Sequence, residues 1–288
     1  MRVIETEAKS ALVASKLPGT DYVINPYTGC RFGCAYCYAT FMSRYAGEPV
    51  ETWGEYVYVK RNLVTLFKRE LDRLGPDRRS RSIFMSSVTD PYQGVEARYR
   101  LTGGVLAELA AADYPGSVGI LTKSPLVVRD IDIIGELANC EVGLTVTSTQ
   151  DEISRWLEVR APKPSRRLEA LAKLHEAGIR TYAFVGPLVP HFAERPELLE
   201  DVFAHLADVG VKRVFVEHLN AKGYIRKRLD AVVARQPEPV RGAYHEARTQ
   251  AHRMRLEEIV AELIDRYDME LRTGAVIDHP EGVRRAPR

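Results

Sequence analysis

The sequence predicts an α/β fold built on a parallel sheet, and three observations carry that reading. Short apolar runs alternate with amphipathic stretches between about residue 20 and residue 220, the spacing of repeated strand–helix units. Several amphipathic stretches stop on glycine: Gly178, Gly210 and the pair Gly75-Pro76. Glycine at such a position suits a left-handed helix end. The chain has 288 residues, 45% hydrophobic and 28% charged, enough to bury a core without disulfide staples. Disorder, collagen and coiled coil are excluded as the main architecture.

In chain order, strands are expected at Asp21–Asn25, Ser82–Ser86, Ser117–Leu121, Glu141–Thr147, Arg180–Val185 and Arg213–Glu217. Helical periodicity falls between them, near Arg61–Leu74, Leu101–Ala112, Asp130–Ala138, Ser165–Ala177 and Glu197–Asp208. Six strands suggest an open sheet or a partial barrel. After Glu217 the pattern changes. Residues 221–243 are polar, with the charged run Arg226-Lys227-Arg228; one long helix is expected over Ala243–Tyr267, then a short apolar segment, Met269–Val276. The chain is therefore divided into a main domain, 1–220, and a C-terminal extension packed on it, 221–288, with a mobile tail.

No apolar run reaches the roughly 18–20 residues of a membrane span. The N-terminus mixes acids and bases from its second residue, without the apolar stretch of a signal peptide. No membrane role and a cytoplasmic location are expected. The net charge is +2, from 41 basic and 39 acidic residues, which lacks the excess of a dedicated nucleic-acid binder. Arg226–Arg228 and Arg78-Arg79-x-Arg81 are the places that could touch phosphates; charged loops of this kind are usually just solvated.

Four cysteines occur, and three sit in one segment, Cys30-x3-Cys34-x2-Cys37, directly after the first expected strand. A disulfide framework would spread them more evenly. Three thiolates so close need a shared metal to offset their repulsion. A structural zinc wants four ligands, and here the next cysteine is Cys140 and the first histidine His175. Three thiolates suit a [4Fe–4S] cluster with one iron left open, since ferredoxin-type clusters use four. Gly29 and Gly33 allow the tight backbone that wraps such a group. A zinc knuckle is the rival.

This triplet is similar to that of radical S-adenosylmethionine (SAM) enzymes. The likeness extends to SSVTDPYQGVEARYRLT, TKSPLVVRD, TVTSTQDEISRWLEVRAPKPSRRLEAL and FVGPLVP, which resemble the spore photoproduct lyase-like branch from about Asn25 to Asn220. The resemblance implies a partial (β/α)6 TIM-type barrel with a helical C-terminal extension. It implies that SAM is bound at the open iron and reductively cleaved to methionine and a 5′-deoxyadenosyl radical, which abstracts a substrate hydrogen. A one-electron reductant of flavodoxin or ferredoxin type is then a partner. The substrate is a small molecule, peptide or nucleic acid, a lyase-like DNA repair reaction being one alternative and a non-catalytic iron–sulfur or zinc regulator another.

Residue by residue, the resemblance implies that Cys30, Cys34 and Cys37 hold the cluster and that Tyr36 contacts adenine. Thr89 and Asp90, with Ser87, receive the SAM ammonium; Thr-Asp-Pro is equally a turn signal. Lys123 pairs with the SAM carboxylate, Thr145 offers a hydroxyl near the ribose or carboxylate, and Gly186, before Pro187, lets backbone approach adenine. Tyr38 matches a hydrogen-relay tyrosine, with packing as the alternative. Glu158 and Arg167 form a structural or SAM-side salt bridge, although Val159 stands where the family has proline. Ser87 occupies the place where the lyases carry a cysteine that returns a hydrogen atom to the product radical. A hydroxyl O–H bond is too strong for that task. Cys140 reads as a small buried hydrophobe. His218 is a candidate substrate contact or a hydrogen-bonded rim residue, and His245 and His252 are expected to share one face of the last helix.

Overall fold

A computed structural model describes residues 1–76, 80–220, 222–247 and 249–278. The strands are β1 (Arg2–Thr6), β2 (Val13–Ala14), β3 (Tyr22–Ile24), β4 (Tyr27–Thr28), β5 (Tyr56–Lys60), β6 (Ile83–Met85), β7 (Val118–Thr122), β8 (Cys140–Thr145), β9 (Arg180–Val185), β10 (Arg213–Val216) and β11 (Glu270–Leu271). The helices are α1 (Leu63–Asp72), α2 (Glu96–Tyr99), α3 (Leu101–Ala111), α4 (Ile131–Glu136), α5 (Asp151–Glu158), α6 (Pro164–Glu176), α7 (Pro196–Asp208), α8 (Gly223–Val233), α9 (Glu238–Glu246) and α10 (Gln250–Arg266).

All six expected strands form, and they lie side by side in chain order. The main sheet runs β11-β10-β9-β8-β7-β6-β3-β2. Every pair is parallel except the short edge strand β2, which runs antiparallel to β3. Sequential parallel order is what strand–helix units produce when each crossover has the same hand. The sheet remains open between β2 and β11, giving a partial barrel of the TIM type with helices outside. Ile83, Met85, Val118, Ile120, Val142, Leu144, Ala183, Val185, Val214 and Val216 belong to the principal core. The alternate positions, which include Phe84, Gly119, Glu141, Gly143, Tyr182 and Phe215, therefore face the lumen. Gly143 is required there, because a Cβ would meet the Tyr182 ring at 2.2 Å.

A second, three-stranded sheet, β1-β5-β4, has no counterpart in the sequence reading. It braces the cysteine segment: Trp53 and Tyr56 pack in one cluster with Cys30, Phe32 and Cys34. Gly29 and Gly33 have φ of 88° and 64°, the left-handed backbone expected of them. A Cβ on Gly29 would lie 2.6 Å from the Tyr56 carbonyl.

The C-terminal segment departs from expectation in two ways. The expected helix Ala243–Tyr267 is two helices, α9 and α10. The Thr249 hydroxyl accepts a hydrogen bond from the His252 amide at 3.2 Å and starts α10 as an N-cap. His245 and His252 thus lie on different helices. The polar stretch 221–243 contains α8, which buries Ile225, Leu229 and Val233, a stripe at four-residue spacing. Met269–Val276 supplies β11, which extends the main sheet beside β10. Among the described residues, no helix is long and apolar enough to cross a membrane. Arg78, Arg79 and residues 279–288, including most of the expected tail, lie outside the described residues.

Candidate active site

The C-terminal ends of β3, β6, β7, β8 and β9 bring most of the predicted residues to one end of the barrel, where such folds place chemistry. Cys30, Cys34 and Cys37 follow β3 and β4; all are free thiols. The Cys37 amide donates to the Cys34 carbonyl at 3.3 Å, and Cys37 precedes a 3-10 helix, Tyr38–Tyr45. Burial pushes all three thiols up, Cys34 to about 12. Cys37 adds to the rise at Cys34, and the Lys123 ammonium opposes it. Such thiolates are stable only beside a compensating positive centre.

Lys123, at the end of β7, reaches over the Tyr36 ring, with its Nζ 5.6 Å from the ring centre and 3.9 Å from Glu158 Oε1. Glu158 is the hub of the site. Tyr36 Oη donates to Glu158 Oε1, and Arg167 donates to Oε2. The Thr147 hydroxyl lies 3.0 Å from Glu158 Oε1 and 3.1 Å from the Gly186 carbonyl. Ser154 Oγ donates to Oε2 at 3.2 Å, and Arg167 Nη1 donates to the Thr145 carbonyl at 3.1 Å. One carboxylate therefore fixes Tyr36, Lys123, β8 and the Gly186 backbone together. Burial alone would raise the Glu158 carboxyl; Arg167 and Lys123 outweigh it and hold the group at about 2.

Asp90 is fully engaged by protein. Its Oδ1 accepts from the Thr122 hydroxyl at 2.6 Å and the Tyr92 amide at 2.9 Å, and its Oδ2 from the Lys123 amide at 2.8 Å. The turn suggested by Thr-Asp-Pro is present, and the same carboxylate ties the end of β6 to that of β7. Desolvation nevertheless raises the Asp90 pKa. Thr89 donates to the Gly29 carbonyl at 2.6 Å, which joins this turn to the cysteine segment. Tyr38 Oη donates to the Ser87 carbonyl, so the two residues expected near substrate are neighbours. Gly186 precedes Pro187 across a cis peptide bond, and a Cβ on it would strike the Phe184 ring at 2.3 Å.

Cys140 opens β8, paired with Val118 at the start of β7, at the opposite end of the barrel. It is buried and its thiol is pushed up to about 12 by burial. His218 is buried and pairs with Glu257 of α10 at 2.8 Å, the rim role. The charged run 226–228 is helical. Lys227 pairs with Glu51 at 2.7 Å and Arg226 with Asp230 at 3.4 Å. Arg81 donates to Asp21 at 2.9 Å.

Three features of the site escaped the sequence reading. Arg228 donates to the carbonyls of Gly33 and Trp53, at 3.2 and 3.3 Å, and of Val50 and Glu51, at 3.2 and 3.1 Å. Ser86 takes φ of 73°, a conformation a non-glycine residue rarely adopts. The Ser86 hydroxyl, the Trp53 indole nitrogen and Arg228 Nε are buried without a hydrogen-bond partner among the described residues. The apolar stripe of α8 was a usable signal for Arg228; a strained serine leaves none.

The donor chemistry fits an iron–sulfur cluster. Three unbridged thiols, Cys30 and Cys34 buried and Cys37 partly so, share one loop under a lysine, and the fourth cysteine is at the far end of the sheet. A structural zinc wants a fourth ligand, and Cys140, at the start of β8, is at the wrong end of the barrel to supply it.

The Radical SAM superfamily family model matches residues 24–202, and the chain belongs to that superfamily. An uncharacterised protein of Methanocaldococcus jannaschii is 37% identical over 190 residues, covering 66% of this chain and 69% of that protein. One from Mycobacterium tuberculosis is 31% identical over 278 residues, covering 91% and 80%. Among solved structures, spore photoproduct lyase complexed with dinucleoside spore photoproduct superposes with a TM-score of 0.67 at 17% identity, over 92% of this chain and 79% of that one. Streptococcus suis SuiB bound to S-adenosylmethionine superposes with 0.57 at 15% identity, over 91% and 50%. SuiB is also seen bound to its precursor peptide SuiA.

Proposed function

We propose that this protein binds a [4Fe–4S] cluster through Cys30, Cys34 and Cys37, and uses it to cleave SAM and abstract hydrogen from a substrate. When bound, the cluster supplies the electron that breaks the S–C5′ bond of SAM. The chain supplies orientation and a dry, charged pocket. Lys123 pairs with the SAM carboxylate, and Tyr36, fixed by Glu158, presents its ring to adenine. The Gly186 backbone and Thr145 border the ribose side. Thr89 and Asp90 hold the cysteine turn and the Lys123 backbone in register, and Ser87 with Tyr38 faces the substrate.

The observation that carries this reading is the single network joining the cysteine segment, Tyr36, Lys123 and Gly186 through Glu158. It places a cation and an aromatic ring beside three thiols, the complement a zwitterionic nucleoside sulfonium needs. The test is anaerobic reconstitution followed by reduction with dithionite in the presence of SAM. About four irons per chain and formation of 5′-deoxyadenosine with methionine are expected. A mononuclear zinc with a fourth protein ligand, or SAM left intact, overturns it.

A lyase acting on spore photoproduct is the weaker reading because of Ser87. The neighbours of similar fold are seen bound to unlike molecules, a dinucleoside spore photoproduct and a precursor peptide, so the fold alone does not select the substrate.

A further inference from the structure

The lumen has a second opening, at the N-terminal ends of the strands. A cavity of about 520 Å³ lies there, inside the range of roughly 300–1,000 Å³ typical of small-molecule sites. Its wall carries three arginines, Arg180, Arg213 and Arg272, against one carboxylate, Glu141. Arg272 is spoken for: it donates to Glu141 at 2.7 Å and stacks on the rings of Tyr182 and Phe215, 5.0 and 4.8 Å from their centres. Arg213 has a 3.5 Å ion pair with the same Glu141. Among the described residues Arg180 makes only long contacts, 3.4 and 3.5 Å, to the carbonyls of Cys140 and Ala138. Two guanidinium forks on adjacent strand starts thus retain donors, while one carboxylate is shared. Like charges gathered in this way repel unless an anion joins them.

The remaining wall mixes the apolar Phe84 and Gly119 with the polar Thr20, Ser82, Ser117 and Asn139. Phe84 is only partly buried, and beside it stands Gly119, where a Cβ would lie 3.0 Å from the Phe84 ring. The cavity is separate from the cysteine end of the lumen. Phe215 meets Tyr182 at 5.5 Å and Phe184 at 6.1 Å between ring centres, and Phe184 lies against the Gly186 backbone. An aromatic layer therefore stands between the two.

We propose that this cavity is a second ligand site, which takes a phosphate monoester carried on a flat aromatic body, the chemistry of a nucleoside monophosphate. Arg180 and Arg213 hold the phosphate, since a guanidinium fork matches its oxygens, and Phe84 offers the ring surface. The proposal does not depend on the reaction at the other end of the barrel.

The test uses the full-length, cluster-loaded protein without reductant, saturated with SAM so that the cysteine end is blocked. Adenosine 5′-monophosphate, adenosine and inorganic phosphate are titrated separately by calorimetry. The monophosphate is expected to bind at least about tenfold more tightly than either fragment, because only it engages both walls. The Arg180→Gln, Arg213→Gln double variant is expected to lose at least about tenfold. Hydrogen–deuterium exchange of the unmutated protein gives a readout that does not depend on folding of the variant: amides of residues 117–120 and 213–215 should slow on adding the monophosphate. Absence of binding, phosphate binding as tight as the monophosphate, or protection confined to the cysteine end each overturns the assignment.

Discussion

Replacing Glu158 by glutamine removes one charge from the centre of the site while keeping its shape. Glu158 and Arg167 are 1% and 0% exposed. The folded carboxyl sits at about 2 and an ordinary glutamate at about 4.3, a gap that corresponds to about 3 kcal/mol at neutral pH. The independent expectation for stranding a buried guanidinium is about 3–5 kcal/mol, so the two agree. The assay is urea unfolding of Glu158→Gln against the parent, both without cluster, from pH 7 down to pH 2. A folded pKa below the unfolded one means the unfolded chain binds protons first as pH falls. The stabilisation is therefore fully present above about 4.3 and fades as pH drops toward about 2. The difference between the proteins should be near 3 kcal/mol at pH 7 and shrink across that window. A loss under about 1 kcal/mol at pH 7, or a difference that does not change with pH, would refute a buried, ionised Glu158 hub.

Removing any one of Cys30, Cys34 and Cys37 should abolish the distinct-site [4Fe–4S] Mössbauer signal, whereas Cys140→Ala should leave iron content and spectrum unchanged. Lys123→Ala is expected to weaken SAM binding by about 1–3 kcal/mol with iron content intact; Asp90→Asn should also weaken it by loosening the Lys123 backbone, and equilibrium dialysis showing neither effect would sink both roles. Arg228→Ala withdraws donors from four carbonyls around the cysteine segment. It should cost about 2 kcal/mol or more and speed iron loss to a chelator, and an unchanged rate would mean that the helix clasp is idle. With SAM and a dinucleotide spore photoproduct, the reduced enzyme should yield uncoupled 5′-deoxyadenosine and little thymidylyl-thymidine; efficient multiple-turnover repair would show that Ser87 is no obstacle.

Local chemistry made much of this protein legible from its sequence. Strands buried on both faces read as short apolar runs, and glycine marked where helices stop, so the six barrel strands and five of the helices between them, α1, α3, α4, α6 and α7, were in view, whereas α2 and α5 were not. Three thiols packed into eight residues carry their chemistry in their spacing. Tertiary structure decided what depends on distant partners. β1, β4 and β5 pair with one another in a sheet separate from that of the barrel, so neither barrel period nor motif announces them. The break at Thr249 arises from a capping bond that competes with an otherwise continuous helical pattern. Asp90 and Glu158 show the difference most plainly. Their residue types promised charge, but Asp90 turned out to spend its carboxylate on Thr122 and the Lys123 amide, and Glu158 became the joint of four elements. A buried carboxylate is defined by the donors that surround it, and those donors lie up to 122 residues away, beyond any local signal.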